Sequence, residues 1–517
     1  MRINKLLMVA FAALAVFSCK EKEQPAPKDT TPAELKSFAL LQADNPALPG
    51  DVVAEISKNM VIRVPGSETG KTFVATVTAG EFDQILVNNV KPGDDGKVEV
   101  NSAAPIDIIV TNTKSELTAT YEVKIGKILQ TVVTAVGSYM ESEATLRNDV
   151  RMAIGTNGIP YLLYSRKKTT EGAADSNNRL ACISWNGAAF APVGTLGFTD
   201  DSRQAIACNI AIDGETPYVV YYGETAANMP GVRKFDGAEW VSVGEKSFGS
   251  KISYTYGGNE LYFIDGKPGF VTTGNDKKGD ADAYRNAVRY NFNGTDWTKT
   301  NFIPNLPHYG DKGASDGVFY AGVTAKDSKG NVYVATSCNL YGYYLFNVNN
   351  NWEMMVENFN EEGETYGVPG CLSVLVGPED VIYVFASVSS KAQYQLYRYN
   401  ASSEKKLDAF AGPIQMTAGG SGTIKETMRV GVNPVTGEIV GAYVMDSKLY
   451  FGVIDENRQW TEFTEVPTTN PVAAGDAFAL KFAPDGTGYL AVVLAPEKVV
   501  TSIDLYKIGL EEDILPE

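Results

Sequence analysis

Four of the five tryptophans in this chain fall on a lattice. Trp240, Trp297, Trp352 and Trp460 are separated by steps of 57, 55 and 108 residues, the last being twice 54. Phe190 extends the series backwards by 50. Three of these positions follow a turn: Trp185-Asn186-Gly187 before Phe190, Phe235-Asp236-Gly237 before Trp240, and Phe292-Asn293-Gly294 before Trp297. A second motif keeps the same beat, a turn residue followed three or four positions later by tyrosine. Its copies are Gly158 with Tyr161, Gly214 with Tyr218, Gly258 with Tyr262, Gly330 with Tyr333, Asp380 with Tyr383 and Gly486 with Tyr489, and Gly437 has Val440 in that place. A fixed period of this length marks small supersecondary units that bury their apolar faces only by stacking on neighbours.

Each unit reads as strand a, turn, strand b, loop, strand c, turn, strand d. In the second unit these are Cys208–Ile212, Tyr218–Tyr222, Val232–Phe235 and Trp240–Val243. The last unit supplies Ala479–Phe482, Tyr489–Leu494 and Thr501–Tyr506 and then lacks a fourth strand. The missing strand is expected at the other end of the repeat, where Thr131–Gly137 shares the Val-Gly ending of Trp240–Gly244. Closing a ring with strands from both ends leaves no open sheet edge. The expectation is an all-β chain with a seven-bladed β-propeller over 129–517, closed by N- and C-terminal strands. The repeat resembles kelch-like and NHL-like propellers, most clearly at Lys326-Asp327-Ser328-Lys329-Gly330-Asn331-Val332-Tyr333-Val334-Ala335. Those motifs imply fold and not activity.

The N-terminus reads as an address. Arg2 and Lys5 precede an unbroken apolar run, Leu6–Phe17, too short as a helix for a bilayer core of roughly 30 Å and suited to a signal peptide over 1–18. The run ends Val16-Phe17-Ser18-Cys19, which resembles the lipobox of bacterial lipoproteins. That resemblance implies a lipid-modified Cys19 and a chain tethered to the cell outer membrane. The stretch 19–33 is polar and proline-bearing and reads as an extended tether. Lys20, with acidic residues close behind, is similar to the export context of Gram-negative outer-membrane and surface lipoproteins, implying surface exposure.

Residues 34–128 alternate in short β-type runs, among them Met60–Val64, Thr72–Val77 and Ile106–Val110. Their number and spacing predict a small sandwich. The closing run Thr118–Ile125 resembles the last strand of the immunoglobulin-like (Ig-like) modules that follow the anchor in such lipoproteins. Gly66-Ser67-Glu68-Thr69-Gly70-Lys71-Thr72 mimics a phosphate-binding loop but is one residue too short between its glycines, and no helix pattern follows. It is read as a turn.

Charge and composition narrow the chemistry. A formal charge of −17 repels phosphate backbones, so no nucleic-acid partner is expected. The single histidine, His308, excludes a site of several imidazoles, and no metal or cofactor is expected. Cys182 and Cys208 are expected as buried thiols, whereas Cys338 and Cys371 fall on one face, either bridged or buried as thiols.

The spare length lies in connections of two types. Arg166–Arg179 and Gly266–Arg285 are read as b–c loops, and Asn301–Asp316, Glu357–Gly370 and Ala409–Glu426 as d–a loops, all on one face around the channel mouth. Acid and arginine recur just before strand a: Asp149 with Arg151, Asp201 with Arg203, Glu426 with Arg429. The three arginines would either clamp a carboxylate or sulfate or pair with acids of neighbouring blades. Tyr284, Tyr309 and Tyr366 would either stack on sugar rings or pack their own loops, and His308 lies beside Tyr309. Two functions follow as expectations. The first is a tethered binding protein whose loop face engages a glycan or an envelope protein. The second is a glycoside hydrolase or polysaccharide lyase at the channel mouth, and an assembly scaffold is a third possibility.

Overall fold

A computed structural model describes residues 28–517 except 142–143, 169–177, 200–207, 223–228, 253–258, 276–283, 302–318, 339–341, 360–371, 389–392, 405, 416–427, 474–476, 496–501, 514 and 517. The described chain is all-β apart from short 3-10 turns and divides into two compact units, 1–130 with 511–517, and 131–510.

The first unit has two four-stranded sheets. One runs Val52–Val53, Leu35–Leu40, Thr72–Ala79, Lys97–Asn101; the other runs Asn59–Val64, Thr118–Lys127, Ile106–Asn112, Asp83–Val87. Neighbours are antiparallel except Asn59–Val64, which pairs in parallel with Thr118–Lys127. Period-two alternation turns Ile106, Ile108 and Val110 inward against Phe38, Phe73 and Val77, so the two sheets share one core. The phosphate-loop mimic is a short 3-10 turn at Gly66–Glu68 leading into the strand Thr72–Ala79. The C-terminal tail belongs to this unit: Glu511 accepts from Lys127 Nζ at 2.5 Å, and Asp513 accepts from Arg63 Nη1 at 3.0 Å.

Among the described residues the second unit holds seven four-stranded antiparallel sheets. Sheets 1 to 6 are each built from consecutive strands, and their first strands are Ala144–Ile154, Asn209–Asp213, Glu260–Ile264, Phe319–Lys326, Leu372–Val376 and Arg429–Val432. Sheet 7 runs Phe478–Phe482, Gly488–Leu494, Ser502–Leu510 and then Thr131–Met140, taken from the other end of the unit. In that last pairing Leu505 lies opposite Gly137 and Ile508 opposite Val133. The first strands lie side by side in sheet order, and that of sheet 7 lies beside that of sheet 1. The second strands are buried on both faces, as Val332–Cys338 shows along its whole length, because each is central in its sheet and flanked by neighbouring sheets.

Tryptophans tie consecutive sheets. The indole N–H of Trp240 in sheet 2 donates to the carbonyl of Val193, just past the last strand of sheet 1, at 2.7 Å. Trp297 in sheet 3 repeats the bond to Val243 at 2.7 Å. Each indole also stacks on a phenylalanine five residues beyond that valine, Phe198 at 4.5 Å and Phe248 at 4.6 Å between centroids. At the seam of sheets 7 and 1 the same closeness reappears: a Cβ on Gly137 would lie 2.4 Å from the Trp185 ring. A buried ion pair, Arg166 Nη2 to Glu141 at 3.1 Å, links the second strand of sheet 1 to the residue that follows Thr131–Met140, with the Tyr164 hydroxyl donating to Glu141 at 3.2 Å.

Several boundaries differ from the sequence reading. Tyr262 lies in the first strand of sheet 3, not the second, and Gly266 is its turn, φ +70°, so Lys267–Asn275 is strand rather than loop. The displacement arises because Tyr262 and Gly269 exchange the usual places. Tyr262 faces Gly269 across the pair, whereas in sheets 1 and 2 a small residue of the first strand (Ala153, Ala211) faces a tyrosine of the second. Ala409–Gln415 likewise belongs to the strand Leu407–Gln415, and Glu357 to Glu353–Phe359. Trp352 sits in a turn at φ +60°, and Trp460 precedes the last strand of sheet 6, Thr464–Val466. Asp149 and Arg151 lie within their first strand rather than before it.

Candidate functional site

The first strands bring together polar side chains distant in sequence. Asn209 of sheet 2 donates its amide Nδ2 to Glu260 of sheet 3. The hydroxyl of Thr324 in sheet 4, beside the Glu260 carboxyl, is shared between that carboxyl and the carbonyl of Leu261, 3.1 Å away. The positive charges of Lys481 in sheet 7 and Arg151 in sheet 1 act on the same carboxylate. Side chains of sheets 2 and 4 thus meet Glu260 of sheet 3, and charges on sheets 1 and 7 act on it.

Glu260 keeps part of its surface towards solvent although its carboxyl is enclosed by protein atoms. That enclosure dominates, pushing its pKa above the usual carboxylate range. Lys481 and Arg151 and the hydrogen bonds from Asn209 and Thr324 pull it only partly back. A carboxyl that keeps its proton at higher pH beside bulk-accessible space is equipped to donate it. Asp149 and Arg151 together act on the neighbouring Cys208 thiol, which burial pushes up to about 12. Arg151 thus acts on both the Cys208 thiol and the Glu260 carboxyl.

Of the arginines expected to converge, Arg151 and Arg429 each stand three residues before the end of a first strand, in sheets 1 and 6. The guanidinium of Arg429 lies 5.7 Å from the ring of Phe478, on the first strand of sheet 7 between them. Arg203, His308, Tyr309, Tyr366, Cys19 and Cys371 lie outside the described residues. Tyr284 opens the third strand of sheet 3, its partner in register being Asn275. Cys182, Cys208 and Cys338 are buried. Sequence reasoning missed Glu260, Asn209, Thr324 and Lys481. A signal for Glu260 was present, since it is an acid opening an otherwise apolar strand, Glu260–Ile264, but the misplaced turn assigned it to no strand.

A separate open groove of about 590 Å³ lies between sheets 1 and 2 at their short turns. Tyr161, Phe235 and Pro217 line it with Glu215, Lys234 and Asp236. Glu215 and Asp236 stand exposed on turns, so this groove has none of the enclosure that alters the Glu260 carboxyl. Among the described residues no group of three or more His, Cys, Asp or Glu side chains is placed to hold a metal ion, and no helix is long and apolar enough to cross a membrane.

No family model matches the chain, and no curated protein matches it by sequence. Among solved structures it is similar to an α-L-arabinanase of Penicillium chrysogenum complexed with arabinobiose, at 13% identity over 71% of this chain and 98% of that one, TM-score 0.37. It is also similar to an ulvan lyase of polysaccharide lyase family PL25, at 14% identity over 75% and 98%, TM-score 0.43. A DUF4623 family protein from Bacteroides eggerthii aligns over 93% of this chain and 99% of its own, at 10% identity and TM-score 0.33.

Proposed function

We propose that residues 131–510 form a seven-bladed, kelch- or NHL-like β-propeller that cleaves a polysaccharide in its central channel, with Glu260 as the proton donor. The fold reading is supported by seven sheets whose first strands adjoin in order and by the pairing of Thr131–Met140 with Ser502–Leu510. The functional reading is carried by one observation, the convergence of Asn209, Thr324, Arg151 and Lys481 on the enclosed carboxyl of Glu260. In cleavage the Glu260 proton passes to the glycosidic oxygen as its C–O bond breaks. Water then adds to the sugar carbon and releases a proton to solvent, and solvent returns a proton to Glu260.

The first unit is proposed as an Ig-like spacer. Its support is topological: the strands pair across two sheets that share a core, and the last strand is flanked in parallel by an early one. Cys19 is proposed as the acylated anchor that tethers the chain to the outer membrane and presents it outward, on the strength of the apolar run and the sequence around that cysteine.

The test is to incubate the full chain and its Glu260→Gln variant with a panel of plant and algal polysaccharides and follow new reducing ends. Release by the native chain and none by the variant is the expected result. Equal release by both, or by neither, overturns the proposal.

A further inference from the structure

The groups around Glu260 are not evenly spread. Taken in ring order, sheets 6, 7 and 1 contribute Arg429, Lys481 and Arg151 from their first strands, three cations on three adjoining sheets. Sheets 2, 3 and 4 contribute Asn209, Glu260 and Thr324, hydrogen-bonded to one another through the Glu260 carboxyl. The first strands thus carry a cationic arc on sheets 6, 7 and 1, with Asp149 on the same strand as Arg151, and a hydrogen-bonded arc on sheets 2, 3 and 4. Lys481 is exposed, one residue before the end of its strand, and its charge is felt at Glu260 two sheets beyond sheet 1. Arg151 and Arg429 occupy matched places at the two sides of sheet 7, and Phe478 lies beneath Arg429.

This arc belongs to a chain of net charge −17. The surface as a whole repels anions, and a local cationic concavity draws them to one place and sets their orientation. A neutral sugar gains nothing from three such charges, whereas a carboxylate or sulfate on a sugar ring gains charge-assisted hydrogen bonds. Resting on the cleavage reading above, we infer that the substrate is an anionic polysaccharide, its sugar-borne oxyanion seated on Arg429, Lys481 and Arg151 while the bond to be cleaved faces Glu260. Lys481 is the specificity residue on which the inference turns, because it is exposed and its removal leaves no buried group behind.

The experiment measures binding of the full chain, and of its Lys481→Gln and Lys481→Arg variants, to polygalacturonate, dextran sulfate and neutral dextran by calorimetry at low and high salt, with release of sugar ends followed in parallel. Thermal melts confirm that both variants are folded. The expected result is binding of at least one anionic polymer, lost at high salt, weakened roughly tenfold by Lys481→Gln and kept by Lys481→Arg, with dextran unbound. Binding of polygalacturonate alone identifies a carboxylate, of dextran sulfate alone a sulfate, and either supports the inference. Cleavage of neutral dextran with no response to either polyanion overturns the inference and leaves the cleavage reading intact. Lysine-dependent polyanion binding with no cleavage overturns the cleavage reading and leaves the cationic seat. Anionic binding that Lys481→Gln does not change overturns the seat, and no binding at all overturns both.

Discussion

The indole N–H of Trp240 donates to the carbonyl of Val193 at 2.7 Å, so a side chain of sheet 2 completes the hydrogen bonding of backbone that belongs to sheet 1. Trp297 does the same for Val243 of sheet 2. The tryptophan lattice in the sequence is, in these copies, the spacing of an inter-sheet tie. Trp240→Phe keeps most of the stacking on Phe198 but leaves a buried carbonyl unpaired. We expect a loss of about 1–3 kcal/mol, and Trp297→Phe the same, measured by denaturant unfolding. No change in either variant would mean that stacking alone holds the sheets.

The seam between sheets 7 and 1 depends on Gly137. A Cβ there would lie 2.4 Å from the Trp185 ring, opposite Leu505 in the pairing that joins the two ends of the unit. Gly137→Ala is expected to destabilise the second unit by about 1–3 kcal/mol through overpacking. Gly158→Ala, with open space around its Cβ but a φ of +76°, carries backbone strain alone and serves as the comparison. Hydrogen exchange in 131–140 and 502–510 reports whether the seam is what loosens.

Acid stability has a named contributor. Asp380 accepts from Lys329 Nζ at 2.8 Å and from the backbone N–H of Ser328 at 2.9 Å, and these hold its pKa at about 2. A depressed carboxylate stabilises the fold above its unfolded pKa near 3.8, and the contribution is lost as pH falls towards 2. Asp380→Asn should therefore lower the melting temperature at pH 5 and converge with the native chain near pH 2. A difference that persists unchanged at pH 2 would assign the effect to packing.

Glu260 carries the opposite sign. Burial raises its pKa, so ionisation is opposed by the fold, and stability falls as pH rises from the ordinary carboxylate range through the raised value. Glu260→Gln keeps an oxygen for the Asn209 amide and removes the buried charge. We expect the variant to melt at or above the native temperature at neutral pH and to match it in acid. Activity should decline on the alkaline side along the titration of Glu260. A variant that melts well below the native chain at neutral pH contradicts this assignment.

The sheets were legible because their signals are local. Turn glycines such as Gly330 and Gly486, at φ +87°, recur before a buried strand, and a run such as Val332–Cys338 is apolar enough to declare itself. The Val-Gly ending of residues 136–137 indicated the pairing with the far end because the same ending at 193–194 and 243–244 accommodates a tryptophan. Of the groups that act on Glu260, the sequence reading names Arg151 alone. Glu260 acquires its character from Asn209, Thr324, Arg151 and Lys481, on four other sheets, and no local pattern encodes a meeting of residues 51 to 221 positions from it. The tie of Glu511 and Asp513 to Lys127 and Arg63 was missed for the same reason.

The most direct test of the account is a crystal structure of the Glu260→Gln chain soaked with an oligogalacturonate. The account predicts the sugar in the space between the first strands, a glycosidic oxygen within hydrogen-bond distance of the amide at position 260, and a sugar carboxylate turned towards Lys481. Sugar seated instead in the groove beside Tyr161 and Phe235, with nothing near position 260, would contradict it.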